Sequence, residues 1–274
     1  MQPVSAPSPI STPSIGVIDS GVGGLTVLRE IHRLLPGLST LYFADQAHLP
    51  YGARSAAQVR AFIDPIVRFL IDNGAAVIVL ACHAASAAAL YDLRARYPQI
   101  PFVGMEPAVK PAAKETQTGV IGVLTTEGTA NGPLYHGVLD RHTRGVRVVT
   151  SIAPELVLMV ERDDAGTAAS QRILRDRLAP LIEAGADHIV LACTHFPFLI
   201  PHIAALTSIP LVDPSAAVAR QVGRVLPPQL QAQEATSDFH RRDRYLTSGD
   251  AAAFQTTIRR LIGVEAAVEA VALG

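Results

Sequence analysis

The sequence is informative first through what it has little of. Its 274 residues include two cysteines, two lysines and no tryptophan. Two cysteines cannot form a disulfide framework, so a reducing cytoplasm is the expected location. The formal net charge of −1 lacks the basic surplus that nucleic acids or anionic membranes attract. No apolar run reaches the roughly 20 residues of a membrane helix, so we expect no nucleic-acid or membrane partner.

The composition is that of a globular protein with buried strands, because 49% of the residues are hydrophobic and only 17% are charged. Residues 1–14 differ from the rest: they are rich in Pro and Ser, and they lack the basic start and apolar stretch of a signal peptide. We predict a disordered tail there. After it, short apolar segments alternate with segments of helical length, which predicts parallel sheets with crossover helices.

The two cysteines occupy matching places in an internal repeat. Residues 74–83 and 185–194 agree at seven of ten positions, and each copy predicts a buried strand that ends at Cys82 or Cys193. Ligands of doubly wound sheets bind at this end of the strands. We therefore predict an α/β fold of two pseudo-symmetric, doubly wound lobes with mainly parallel sheets and the active site between them.

The domain boundaries are predicted from the strand pattern. Residues 15–106 plus 214–274 are expected to form the first lobe, and residues 107–213 the second. The polar stretch 229–244 predicts a loop. A last short strand and a terminal helix are expected to follow it.

A pair of thiols suits the inversion of a carbon that carries one hydrogen. One thiolate removes the proton from one face and the other thiol returns a proton to the opposite face. A thiol has an ordinary pKa of about 8.5, close enough to neutrality for either role. Two alternatives exist: the cysteines simply pack in the core, or Cys82, His83, Cys193 and His195 bind zinc. The zinc alternative lacks the usual paired ligand spacing, and no metal is expected.

Other polar residues follow the predicted strands. Asp19 opens a Gly-rich turn whose N–H groups suit a carboxylate or phosphate, but Asp19 or Ser20 capping the next helix is an equal alternative. His195 could relay a proton, and Tyr51 could close over a ligand. Glu161 is expected on a solvated helix face. The second half offers three hydroxyls at the position equivalent to the Asp19 turn: Thr125, Thr126 and Thr129.

Seven segments carry a resemblance to a known family: GVIDSGVGGLTV at 16–27, YFAD at 42–45, PYG at 50–52, AC at 81–82, GT at 128–129, ACTH at 192–195 and TSGD at 247–250. In this order they resemble the glutamate racemases of the cofactor-independent aspartate/glutamate racemase superfamily. The resemblance spans nearly the whole chain after residue 14, and it is far more specific than any one motif.

The resemblance implies that L- and D-glutamate are interconverted without a cofactor, by a cytoplasmic homodimer that supplies D-glutamate for peptidoglycan. It implies that the Cys82 thiol acts on the D-enantiomer, assisted by Asp19, and the Cys193 thiol on the L-enantiomer, assisted by His195 and Glu161. The substrate contacts that it implies are Asp19, Ser20, Tyr51, Gly52, His83, Ala84, Thr129, Thr194 and His195.

One departure is serious, because Cys82-His83-Ala84 stands where the family reads Cys-Asn-Thr. A lost hydroxyl donor costs about 1 to 3 kcal/mol of binding if its partner stays buried and unpaired, and His83 is a candidate replacement. The departure leaves two alternatives open: a racemase of the same superfamily acting on another amino acid, or a non-catalytic binding protein. Pyridoxal phosphate would need a Schiff-base lysine. The two lysines, Lys110 and Lys114, lie in a predicted linker away from the strand ends, so no cofactor is expected.

Overall fold

The computed structural model describes residues 13–234 and 242–273. Its strands form two sheets, and every strand pair in both sheets is parallel. The strands are β1 Ser14–Asp19, β2 Thr40–Ala44, β3 Ala75–Leu80, β4 Phe102–Gly104, β5 Val120–Thr125, β6 Arg147–Ile152, β7 His188–Ala192, β8 Leu211–Val212, β9 Arg244–Thr247 and β10 Val268–Ala270.

The two sheets repeat one topology. The six-stranded sheet has the order β10-β9-β2-β1-β3-β4, and the four-stranded sheet has the order β6-β5-β7-β8. Strands β1–β4 and β5–β8 therefore follow the same order, and β9 and β10 extend the first sheet beyond β2. The predicted class of two pseudo-symmetric, parallel α/β lobes is confirmed. We call the six-stranded sheet with its helices the first lobe, and the four-stranded sheet with its helices the second lobe.

Helices cover both sheets. Helix α10 packs against α1 and so returns the chain to the first lobe, while α8 packs against β5 and β6 of the second. The α-helices are α1 Leu25–Leu34, α2 Ala56–Asp72, α3 His83–Arg96, α4 Val109–Glu115, α5 Glu127–Ala130, α6 Pro133–His142, α7 Glu155–Arg162, α8 Ala168–Glu183, α9 Ile200–Ala204, α10 Ser215–Arg224, α11 Pro228–Glu234 and α12 Ala251–Ile262. Short 3₁₀ helices span Gln46–His48, Tyr51–Ala53 and Phe196–Leu199.

The internal repeat begins with a glycine in each copy, and both glycines have the same structural role. Gly74 and Gly185 follow helices α2 and α8, and both adopt a left-handed backbone with φ of 90° and 79°. Glycine is the residue that ends a helix in this conformation at least cost. Each glycine turns the chain into a central strand, β3 or β7, that delivers a cysteine.

Both faces of the central strands are buried, so apart from His188 at the start of β7 their residues are apolar rather than alternating. In β3, Val77 and Val79 face the cluster that contains α1, whereas Ile78 and Leu80 face the cluster that contains α2 and α3. This packing fixes the position of Cys82 at the carboxyl end of the sheet.

Three details differ from the sequence-based expectations. Ser14 is the first residue of β1, so a tail ending at residue 14 is one residue too long at least, and residues 1–12 lie outside the described range. The predicted loop 229–244 is wrong in its first part: α11 forms because Leu230 is fully buried despite polar neighbours. The structure also has β10 after the terminal helix. The domain boundaries stay a prediction.

Within the described residues, no helix is both long and apolar enough to cross a membrane.

The terminal helix is expected to be integral to the first lobe. Phe254 of α12 is fully buried and stacks on Tyr42 of β2, with ring centroids 6.0 Å apart. Phe254→Ala should therefore lower the free energy of unfolding by about 3–5 kcal/mol, measured by denaturant titration. Its exposed neighbour provides the control, because Gln255→Ala should change stability by less than about 0.5 kcal/mol. Equal stabilities would mean that α12 is not part of this core.

Candidate active site

Equivalent strands of the two lobes end close together and bring their reactive side chains to one cavity. Asp19 ends β1 and Cys82 follows β3 in the first lobe, while Cys193 follows β7 in the second. Both thiols are free and buried, and both line one small cavity between the lobes. The cavity wall consists of Ser20, Pro50, Tyr51, Gly52, Cys82, His83, Ala84, Thr126, Val157, Cys193, Thr194 and His195. Nine of these twelve were sequence-predicted site residues.

The cavity is small. Its free space is about 20 Å³, which is room for a single water molecule. A wider chamber of about 380 Å³ adjoins it, and the two spaces share Tyr51, Gly52 and Ala84 as lining residues. These three residues therefore form the partition between the wide chamber and the two thiols.

Cys82 lies at the N-terminus of α3, which begins at the next residue. Burial, and then the nearby Asp19 carboxylate, raise the pKa of the Cys82 thiol. The backbone N–H groups of Ala85 and Ala84 favour the thiolate and oppose this rise. Ser86 donates to the Cys82 carbonyl at 2.8 Å and fixes the turn. At neutral pH, Cys82 is thus a protonated thiol, ready to donate.

Asp19 is fully buried beside this thiol. It accepts a hydrogen bond from the Gly21 N–H at 2.7 Å and another from the Thr194 hydroxyl of the second lobe at 3.0 Å. Burial raises the pKa of Asp19, while the positive charge of His195 and the two hydrogen bonds lower it. Helix α1 has Gly24 as its N-cap and no side-chain cap. The alternative that Asp19 or Ser20 merely caps this helix is wrong.

A different environment surrounds the second thiol. His195 Nδ1 lies 3.9 Å from the Cys193 sulfur, and His195 Nε2 lies 2.7 Å from a carboxylate oxygen of Glu161. Burial lowers the pKa of His195, but the contacts with Cys193 and Glu161 outweigh burial and raise it well above its ordinary value. The raised pKa keeps a positive charge on His195 next to the Cys193 sulfur. The site thus has one protonated thiol and one thiol held next to a cation.

Glu161 does not lie on a solvated face, and that expectation is wrong. Its side chain is only 10% exposed. The oxygen that meets His195 also accepts the Val22 N–H of the first lobe at 2.9 Å. The Gly-rich turn does bind a carboxylate through its N–H groups, as its sequence suggests, but the carboxylate is this protein's own.

The glycines of this turn are there for close approach. A Cβ on Gly23 would lie 2.5 Å from the Thr194 hydroxyl and against the His195 ring, and a Cβ on Gly21 would overlap the Glu161 carboxylate. Gly52 has the same role on the other wall, because its Cβ would lie 2.8 Å from Thr126. The second lobe reaches the first only because these positions lack side chains.

Tyr51 is held by residues that the sequence analysis did not assign to the site. Its hydroxyl donates to Asp45 at 2.6 Å, and Ser248 donates to the other Asp45 oxygen at 2.7 Å. Ser248 belongs to the TSGD segment near the end of the chain. Its motif was the only sequence signal for this role, and the long separation along the chain hid the contact with Asp45.

Of the remaining predicted substrate contacts, some line the cavity and one does not. His83 and Ala84 line the cavity, but Thr129 lies behind the wall, 3.4 Å from the Thr126 hydroxyl that does line it. Lys110 and Lys114 are exposed on α4. In the part of the chain that the structure describes, no group of three or more His, Cys, Asp or Glu side chains is arranged to hold a metal ion.

Twin parallel lobes that bring one thiol each to a shared cavity define a class of α/β isomerases that move a proton between two faces of a carbon. A family model described as Asp/Glu/Hydantoin racemase matches residues 15–222. The chain belongs to this racemase family, as the motifs predicted.

Relatives with high coverage agree. A glutamate racemase of Ectopseudomonas mendocina is 45% identical over 256 residues, which cover 93% of this chain and 96% of that protein. A glutamate racemase structure from Bacillus anthracis has a TM-score of 0.83 at 32% identity and covers 95% of this chain and 98% of its own. An Escherichia coli glutamate racemase, solved with L-glutamate and the activator UDP-MurNAc-Ala, has a TM-score of 0.82 at 31% identity, covering 96% and 100%.

The close approach of the Gly-rich turn yields a prediction. Gly23→Ala should push Thr194 and His195 away from the first lobe, and a displacement of about 1 Å in an active site costs about 100-fold in rate. Gly223→Ala is the matched control. Gly223 lies in α10, and a Cβ added there would have Leu35 as its nearest neighbour, at 3.7 Å. We expect the control to keep full turnover of glutamate and to gain stability. Equal rates in the two variants would contradict this account of the turn.

Proposed function

We propose that this protein interconverts L- and D-glutamate by proton transfer between two thiols. The observation that carries the proposal is the pairing of Cys82 and Cys193 at equivalent strand ends in one cavity. The glutamate specificity is supported by relatives that are named glutamate racemases and match almost the whole chain. They favour glutamate over another amino acid and turnover over binding alone.

From L-glutamate, the Cys193 thiolate takes the α-proton, breaking the C–H bond and forming the S–H bond. The electron pair stays on the α-carbon. The Cys82 thiol then gives its proton to the opposite face and becomes the thiolate. From D-glutamate, the two thiols exchange roles. No atom is oxidised or reduced in either direction.

The neighbours of each thiol differ in a way that suits these roles. His195, held by Glu161, stabilises the Cys193 thiolate with a positive charge. Asp19 has a raised pKa and lies beside Cys82, so it is suited to take up and return the proton of this thiol. We assign the assisting roles accordingly.

The α-proton of an amino acid is a weak acid, so the carbanion needs stabilisation by fixed dipoles in a site without water. Polar residues line the cavity, and we propose that Ser20, Tyr51, Gly52 and Thr194 contact the substrate. The free space holds one water rather than glutamate. We propose that the lobes separate to admit the substrate through the adjoining chamber and then close on it.

We propose further that the D-glutamate serves peptidoglycan synthesis in the cytoplasm, and that the protein is a homodimer of chains whose lobes have the predicted boundaries, 15–106 plus 214–274 and 107–213. The family resemblance supports the peptidoglycan role, the cytoplasmic location and the homodimer. The division of the strands between two sheets supports the lobe boundaries.

Single replacement of either thiol tests the mechanism. Cys82→Ser and Cys193→Ser should each lower racemisation at least about 100-fold, because each removes one of two acid–base groups. The measurement is the decay of circular dichroism, starting from each enantiomer. In deuterated water, Cys82→Ser should still exchange the α-hydrogen of L-glutamate and Cys193→Ser that of D-glutamate. Racemisation at the parental rate by either variant would end the two-thiol assignment.

The pH profile tests Glu161. His195 is protonated below its raised pKa, and its help to Cys193 is lost as the pH rises through that value. Glu161→Gln keeps an acceptor for Val22 but removes the charge, so the basic limb of the kcat/KM profile should move down by about 1 to 3 pH units. The shift is the same in both directions, because the enantiomers have equal free energies.

A carboxylate on the same helix provides the control. Glu155→Gln breaks a pair with Arg177 at the surface and should leave the pH profile of racemisation in place. A profile that moves equally in the two variants would speak against the specific role of Glu161.

A further inference from the structure

The ring of His83 lies in the cavity wall, and within the described residues both of its nitrogens are buried without a hydrogen-bond partner. The residue is 3% exposed, and neither ring nitrogen has a hydrogen-bond partner. A buried polar group without a partner costs free energy, so such groups are rare unless a ligand satisfies them. His83 lines the same small cavity as the two thiols.

Two simpler roles for His83 do not fit. It does not assist Cys82, because no sulfur lies within hydrogen-bonding distance of its ring nitrogens. It does not pair with an acidic residue either, since no ion pair of His83 is formed. Its position is the first residue of α3, where the helix dipole disfavours positive charge. Burial lowers its pKa to about 3, so the ring is neutral and has one N–H donor.

The next residue explains why a donor is needed here. Ala84 also lines the cavity and has no hydrogen-bonding side chain. The departure from the Cys-Asn-Thr pattern therefore removes two polar side chains and supplies a single imidazole N–H in their place.

We propose that His83 is a substrate-binding residue whose N–H donates to a carboxylate of the amino acid, and that it destabilises the protein until that ligand binds. This inference rests on the proposed function and specifies how this chain replaces the usual contact. It makes opposite predictions for stability and for binding.

Three variants test it. His83→Leu fills a similar volume without polar atoms, His83→Asn restores an amide donor, and His32→Leu is the control. His32 is a half-buried histidine with partners, Thr40 and Asp243. The readouts are the melting temperature without ligand, its rise with D-glutamate, and the KM and kcat for both enantiomers.

We expect His83→Leu to raise the ligand-free melting temperature by about 2 to 8 °C, since an unpaired buried group is removed. Its KM should rise about 5- to 150-fold with kcat nearly unchanged, as for a contact made equally in ground and transition states. The stabilisation by D-glutamate should shrink. His83→Asn should keep KM within about threefold. His32→Leu should melt lower and keep its KM.

Either of two results overturns the inference while leaving the proposed function intact: an unchanged KM in His83→Leu, or a lower melting temperature in that variant, which would give His83 a structural role. If the unaltered protein neither racemises glutamate nor is stabilised by it, the proposed function itself fails, and the carboxylate contact fails with it.

Discussion

Strand ends from two separate sheets must both lie close to one substrate carbon atom. The turns at these strand ends must therefore pack closely against each other. The turn after β1 meets this requirement with glycines at positions 21 and 23, where a Cβ would overlap Glu161 or His195 and Thr194. The hydrogen bonds that join the lobes here, from Thr194 to Asp19 and from Val22 to Glu161, exist only because of this narrow approach. The small volume of the cavity and the pairing of the thiols both follow from this close approach.

The two halves share a topology but differ in electrostatics. In the first lobe, burial and a carboxylate keep the proton on Cys82. In the second lobe, a cation with a carboxylate behind it lies next to Cys193. Two identical side chains thus have different electrostatic surroundings, because Asp19 lies near Cys82 whereas His195 and Glu161 lie next to Cys193. The shared topology places the two sulfurs at equivalent strand ends, and their different neighbours give each thiol its own assisting groups.

Much of this was open to prediction from the sequence. The repeat ending in Cys82 and Cys193, the apolar strands and the order of the motifs indicated the fold and most of the cavity wall. The errors have physical causes. Helix α11 is polar apart from the few side chains that pack, Glu161 is drawn inward by partners in other elements, and Asp45 meets Ser248 across 203 residues. Local patterns indicate which side chains are apolar, but they do not identify a partner that lies far along the chain.

The hydrogen bond from Ser248 to Asp45 links the start of the reaction site to the last part of the chain. As the protein is synthesised, Tyr51 emerges from the ribosome long before Ser248. Strand β9, which pairs with the edge of β2, is also synthesised late. A nascent chain therefore has both sulfurs and most of the cavity wall while Asp45 still lacks one of its donors. A chain that has not yet reached Ser248 would therefore hold Tyr51 through fewer contacts to Asp45 than the folded protein does.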